Sequence, residues 1–583
     1  MPRETTASSE ARRVLGVALV AILLGLLNYS PEVKMGDGAE YLVLARSLAD
    51  GGGFRYVCFP DQPPATLRHI GYPVILAILE RLPGGAILPS AIFGLLCLGV
   101  AAALGYVLLR GYPEWLRVAA VALFLANPVV FSLASQHGND VPYLVPTFAA
   151  LLTLRWSTEA GSRQRWLAGV IAGLCMAAAY YIRPTGMLLW PVALFYPLFR
   201  RKAAPGLIAL VLATALVLPW MLHTQRTKSE PSYLDHFIMG TGGPDAPLGE
   251  RLQRLTAMVR YNAAVQPLVL ADAIWQRPRS LSLRARPEVP EPAETDDSAG
   301  IETGAWSDED FWKQVSRIPR VTPVRLVKYA VCGLLLLGLV LAWRQIGASF
   351  HYYVLFGLLS LSIDLHSHNA RIVMHFIPFL ALYVLLAAHR VGERVLPRRQ
   401  DALRRLLVAG VSVLAVLSVL FPTSQRLLHN WSVRGRPWHA PERYGIYGAD
   451  QVSYMRAVEW LATHSPQGAV LVCRRPFVPY LATGRLATWE PLRDSENPEQ
   501  YWRAVKQLAA SAPVFLIQDP PSFGARFAGN FTERNLKPAV AAHAREVRQV
   551  ATTKADGHVT IVWQVVPSKP DSLSKQSPPS KQP

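Results

Sequence analysis

Long uncharged apolar runs recur along this chain, and they limit what it can fold into. Val14 to Tyr29 reads VLGVALVAILLGLLNY and Ala86 to Leu109 reads AILPSAIFGLLCLGVAAALGYVLL, both without a charge. About twenty such residues are needed to cross the hydrocarbon of a bilayer. Further runs lie near Val118 to Ser135, Val141 to Leu154, Leu167 to Ile182, Met187 to Phe199, Leu207 to Leu222, Tyr329 to Trp343, Phe350 to Ile363, Ile372 to Ala388 and Leu406 to Phe421. The reading is a polytopic α-helical membrane protein of about eleven transmembrane helices. Only 17% of the 583 residues are charged, against about a quarter in ordinary soluble chains.

Basic residues orient these spans. With Arg3, Arg12 and Arg13 inside, the inner turns carry Arg110, then Arg155, Arg163 and Arg165, then Arg200, Arg201 and Lys202, then Arg344. The last inner turn, His389 to Arg405, has six Arg against two acids. That is the positive-inside pattern. The other side receives the outer loops 30–85 and 224–323 and everything after Phe421. Glu288 to Asp310, with nine acids and no base, suits that side. Much of the net charge of +19 therefore belongs to membrane orientation, with anionic lipid headgroups as partner. No motif supports a nucleic-acid partner.

The chain divides into a cytoplasmic N-terminus (1–13), a membrane domain (14–421), an external C-terminal region (422–566) and a tail (567–583) rich in Pro, Ser and Lys that reads as disordered. Within the C-terminal region, YMRAVEWLATHS reads as helix and AVLVC as buried strand. YWRAVKQLAASA, APVFLIQD and VTIVWQVV continue the alternation of helix and strand as a small α/β domain. HExxH, CxxC, GxSxG and Gly-rich phosphate loops are all missing from the sequence. Five Cys cannot build a disulfide scaffold. Cys97, Cys175 and Cys332 sit in apolar runs as fillers. Cys58 and Cys473 share the outer side and could pair only in an oxidising compartment.

Chemistry should lie among polar residues beside the outer membrane face. Asp37 opens a segment, AEYLVLARSLAD, that forms a short helix suited to the interface and is ended by Gly51-Gly52-Gly53. Asp37 can cap that helix, with Glu40 as capping partner or second acid, or it can serve as general base for an acceptor hydroxyl. Pro63-Pro64 and RHIGYPVILAIL follow, a rigid loop entering a further apolar helix. Arg68 and His69, like Arg55, are external cations that solvent or a lipid phosphate would satisfy.

MGDGAEYLVLARSLADGGGF, HIGYPVILAIL, AAYYIRPTGMLLWPVALFY and HNARIVMHFIPFLALYVLL, in that order, resemble the class C membrane glycosyltransferases. More narrowly, they resemble the protein mannosyltransferase-like superfamily, which includes bacterial lipid A aminoarabinose transferases. The resemblance covers roughly Val14 to Phe421. It implies a sugar taken from a polyprenyl phosphate carrier at the outer face, usually with inversion, and Asp37 as the acid that activates the acceptor. Many relatives have a second acid directly after the first; here Gly38 follows and Glu40 is nearest. Asp140, in SQHGNDVPYLV, matches the acid of the second outer loop, where capping of the next span is the competing role.

Two Arg residues suit the leaving phosphate. Arg183 in YIRPTG and Arg371 in DLHSHNARIVMHFIPF both stand at outer helix ends, where an Arg either snorkels to water or grips phosphate. His366 and His368, with Asp364, outline a loose metal cluster, and imidazole donors to phosphate or sugar explain them equally. No metal is required by this pattern, which leaves room for a divalent ion. The donor is a polyprenyl-phosphate-linked sugar and the acceptor a lipid, glycan or protein. The loop from Thr224 to Pro323 covers the cavity and helps choose that acceptor. Rival readings are a transporter or flippase, which would place its ionic groups near the midplane, and a noncatalytic envelope-assembly protein. Usage of Ala, Arg, Gly and Pro points to a GC-rich bacterial genome, hence a bacterial cytoplasmic membrane.

Overall fold

The computed structural model describes residues 4–27, 29, 33, 36–66, 68–82, 85–134, 137–159, 161–227, 246–274, 322–346, 348–362, 373–395, 400–446, 449–489, 495, 497–519 and 535–566. Arg371, His366, His368 and Asp364 lie outside them, as does the Pro, Ser and Lys rich tail. The chain forms two compact units. The first takes the described residues up to and including Arg434 apart from a short piece of the first outer loop. The second takes that piece, Tyr56–Pro63, with the described part of Gly435–Pro583.

The first unit is helical. Its elements begin with α1 (Glu4–Leu27), α2 (Asp37–Ala49), α3 (Gly71–Glu80), α4 (Ile87–Leu108), α5 (Glu114–Leu125) and α6 (Pro128–Ala134). They continue with α7 (Asp140–Glu159), α8 (Ser162–Ile182), α9 (Leu189–Phe199) and α10 (Ala203–Thr227). Then come α11 (Leu248–Ile274), α12 (Pro323–Ile346), α13 (Ser349–Ser362), α14 (Ile377–Val395) and α15 (Gln400–Ser432).

Among the described residues, five helices are long and apolar enough to cross a membrane: Ile87–Leu108, Arg163–Ile182, Ala203–Thr227, Pro323–Arg344 and Met374–Val395. The count of about eleven is therefore corrected. The run from Val118 to Ser135 is two helices, because Asn127-Pro128 interrupts it. Met187 to Phe199 is a 3-10 turn (Pro184–Leu188) followed by the 11-residue α9. Phe350 to Ile363 yields the 14-residue α13, too short to cross unaided. A further correction concerns the long outer loop. Its middle forms the 27-residue α11, whose Glu250, Arg251, Arg254 and Arg260 break any apolar run; α11 packs on α12 and α13.

Close helix approach depends on small residues. A Cβ on Gly169 would meet the Pro205 carbonyl oxygen at 2.7 Å, and one on Gly173 the Ala209 carbonyl oxygen at 2.9 Å. The pair at i, i+4 therefore lets α8 lie against α10, as small-xxx-small patterns do between membrane helices.

The second unit carries a five-stranded sheet of order β2-β1-β3-β5-β4, with β1 Val470–Val472, β2 Leu486–Thr488, β3 Val514–Gln518, β4 Val547–Ala555 and β5 His558–Val565. β2, β1 and β3 run parallel, and β5 and β4 add an antiparallel edge. β1, β3 and β5 fall where the sequence reads as strand; the three-residue β2 and the polar, outer β4 escaped that reading. The core is Val470, Val472, Tyr501, Trp502, Val505, Val514 and Leu516 with their neighbours. Cys58 and Cys473 are both buried in this unit.

Candidate active site

Two of the acids of interest in the first unit sit in the first turn of α2. Gly36 precedes that helix in an extended conformation, so Asp37 is its first residue and Glu40 lies one turn on, on the same face. Buried residues occur on all sides of α2, from Asp37 through Ala45 and again at Ser47. That corrects the expectation of a helix lying along the interface. Its end is as read: the Asp50 amide donates to the Arg46 carbonyl, the Ser47 hydroxyl to the Gly53 carbonyl, and Gly51 and Gly53 take positive φ.

Arg68 joins the two acids. Its Nη2 donates to Asp37 Oδ1 at 2.9 Å and to Glu40 Oε2 at 2.7 Å. The three side chains are 6%, 11% and 3% exposed, so the ion pairs are screened little by solvent. One guanidinium faces two carboxylates, leaving the trio one net negative charge. His69 packs edge-on to Tyr180, ring centroids 4.7 Å apart. Burial, with the adjacent Arg68 charge, pushes the His69 pKa down to about 3.

Tyr41 extends the cluster. Its ring lies 5.8 Å from the Arg68 guanidinium and 5.2 Å from the Tyr72 ring, edge to face. Its hydroxyl accepts from Asn139 Nδ2 at 2.8 Å, and the same amide donates to the Ile182 carbonyl at 2.8 Å. Asn139 thereby ties α2 to the end of α8. The turn that presents it is set by His137, in a left-handed conformation with φ 56° and with Nδ1 2.7 Å from the Ser90 hydroxyl.

Asp140, the first residue of α7, is fully buried and pairs with Arg183. Arg183 stands where Pro184 ends α8: the residue before Pro is driven out of the helical region, here to φ −153°. Its amide still donates to Ala179, and its carbonyl accepts from Gly186. Three residues along α7, the Tyr143 hydroxyl is 3.0 Å from that of Tyr353, and both rings pack around His375.

The structure thus joins Asp37 and Glu40 through Arg68, and pairs Asp140 with Arg183; Asn139, next to Asp140, bonds to Tyr41 of α2 and to Ile182, next to Arg183. Sequence reasoning did not weigh Tyr41, Tyr143, Tyr353 or His375 as site residues. Tyr at such positions carries no spacing signal that separates core from site. Among the described residues, no group of three or more His, Cys, Asp or Glu is placed to hold a metal ion.

Residues 63–223 match the family described as dolichyl-phosphate-mannose-protein mannosyltransferase. No curated protein matches the chain at a significant level. Among solved structures, ArnT from Cupriavidus metallidurans bound to undecaprenyl phosphate aligns at a TM-score of 0.53 and 13% identity, covering 95% of this chain and 98% of that one. The archaeal oligosaccharyltransferase AglB from Archaeoglobus fulgidus, in complex with an inhibitory peptide and a dolichol-phosphate, aligns at 0.48 and 13%, covering 86% and 69%. The chain resembles the class C, protein mannosyltransferase-like superfamily of polyprenyl-phosphate-sugar enzymes. The matched segment includes Arg68, His69, Asp140 and Arg183, and it places the chain's likeness with glycosyltransferases.

Proposed function

We propose that the protein transfers a glycosyl group from a polyprenyl phosphate carrier to an acceptor hydroxyl at the outer face of a bacterial cytoplasmic membrane, with inversion. The observation that carries this reading is the buried Asp37–Arg68–Glu40 trio. The family match over residues 63–223 and the ArnT-like fold support the carrier, since that ArnT was solved with undecaprenyl phosphate.

Asp37 is the base. A carboxylate pair sharing one guanidinium keeps net negative charge, which draws the proton of an incoming hydroxyl as it attacks the anomeric carbon. The C–O bond to the acceptor forms as the bond to the carrier phosphate breaks on the opposite face, so the carrier leaves as its phosphate. Glu40 and Arg68 orient Asp37. Asp140, held by Arg183 and flanked by Asn139, borders the sugar site. Arg183 and Arg371 meet the charge that grows on the departing phosphate. His366 and His368 serve as donors to the phosphate or the sugar. Residues 14–421 form the transferase body, and 422–566 lie outside the membrane.

Reconstitution of the purified chain with labelled polyprenyl phosphate sugars and candidate lipid, glycan and protein acceptors tests this reading. Asp37→Asn should lower transfer by about 10²–10⁴-fold while leaving the fold intact. Undiminished carrier-dependent transfer in that variant would overturn the assignment of the base.

A further inference from the structure

The eight residues Tyr56–Pro63 lie between Arg55 and Pro64, yet they belong to the second unit while both flanks belong to the first. Their hold on the second unit is specific. The Cys58 carbonyl accepts from the Ala487 amide at 2.8 Å, so the loop covers the open edge of β2, the outermost strand on its side. Tyr56 and Phe59 are each 2% exposed. The Phe59 ring stacks on Phe477 at 6.1 Å and meets Trp489 edge-on at 5.5 Å; Tyr56 lies 5.8 Å from Phe477. Phe477 and Trp489 themselves pack edge to face at 5.1 Å. Trp489 directly follows β2 and Phe477 lies a few residues past β1. The loop therefore docks on chain that leaves the C-terminal ends of parallel strands, where open α/β sheets receive ligands.

Both ends of this loop are tied. The Tyr56 amide donates to the Pro63 carbonyl and the Ala65 amide to the Phe54 carbonyl, and Arg55 bridges Pro64. Only four residues of chain separate Pro63 from Arg68, five Cα-to-Cα steps and so a tether of at most about 18 Å. Pro63-Pro64 at its start narrows the conformations it can sample.

We propose that the C-terminal unit acts as a clamp on the first outer loop, with Phe59 as a positioning residue that fixes Arg68, and through it Asp37 and Glu40, for transfer. This rests on the reading of Asp37 as base, but the clamp itself is testable without it. If the loop served only to cover the edge of β2, losing Phe59 would disturb the sheet and leave the segment before α3 as it was.

The test uses the full chain in proteoliposomes. Phe59→Ala, Trp489→Ala, Phe59→Leu and Phe59→Tyr are compared with wild type by amide hydrogen exchange and by carrier-dependent transfer. The clamp requires faster exchange over residues 65–70 in the Ala and Leu variants, with β3 and β5 still protected. Turnover should fall on the order of 10²-fold, with the KM for the labelled carrier changing far less, and Phe59→Tyr should restore it. Should Phe59→Ala fail to fold, Phe59→Leu keeps the bulk and removes the ring, and its exchange decides. Wild-type exchange over 65–70 in the Leu and Trp489 variants overturns the proposal. A wild type with no transfer at all would defeat the glycosyl-transfer reading, while the exchange result would still decide the clamp.

Discussion

Arg68 is the residue on which the acids depend. Removing one partner of a buried ionic cluster leaves the others uncompensated, typically at about 3–5 kcal/mol. Arg68→Ala should therefore lower stability by that order, measured as a shift in thermal unfolding in detergent. Arg68→Lys should recover only part of it: one nitrogen suffices to reach both carboxylates, but an ammonium is more strongly hydrated than a guanidinium and costs more to bury. His69 makes a separate prediction. Its folded pKa, about 3, lies below the unfolded value of about 6.5. The unfolded chain then takes up a proton first as pH falls, so stability present above about 6.5 is lost toward 3. Between pH 7 and 5 that loss approaches about 2 kcal/mol for this group. In His69→Gln the same pH step should cost correspondingly less; an unchanged slope would mean that His69 titrates normally. The acids and cations of the first loop were legible because polar residues between apolar runs are conspicuous. Their pairing was not: Arg68 looked like a solvent-facing cation or phosphate ligand, and only folding back across 31 residues brings it to Asp37.

Helix α2 and the α8–α10 contact show what local pattern leaves out. The alternation of polar and apolar residues in AEYLVLARSLAD reads as amphipathic, yet the helix is covered on every side because α3 packs on it and Tyr41 reaches Tyr72 and Asn139. The spacing of Gly169 and Gly173 was equally visible and carries no meaning until a partner helix is known. Gly173→Ala should destabilise by about 1–3 kcal/mol, the usual cost of overpacking. Gly333→Ala, with nothing within 4 Å of the added carbon, should be neutral or slightly stabilising. Comparing their unfolding midpoints checks the α8–α10 packing; equal effects would argue against it.

At the scale of the whole molecule, orientation is the property most open to test. Basic inner turns and a first outer loop on the opposite side predict that a single Cys at Gly51, in a cysteine-free background, reacts with a membrane-impermeant thiol reagent applied from outside. A Cys at Lys202 should react only after permeabilisation. The reverse pattern would invert the molecule and remove the proposed site from the outer face. What the amino-acid order determined unaided is the kind of solvent each segment tolerates: long uncharged runs must leave water, Pro and Gly interrupt helices, and hydrophobic strands of five residues seek a sheet. Those are short-range energies, additive along the chain. Which carboxylate meets which guanidinium, how many apolar runs become full-length helices, and that a piece of the first loop belongs to the C-terminal unit were decided only by tertiary structure. Such contacts join residues tens to hundreds of positions apart, and their energy exists only once packing has excluded water between them.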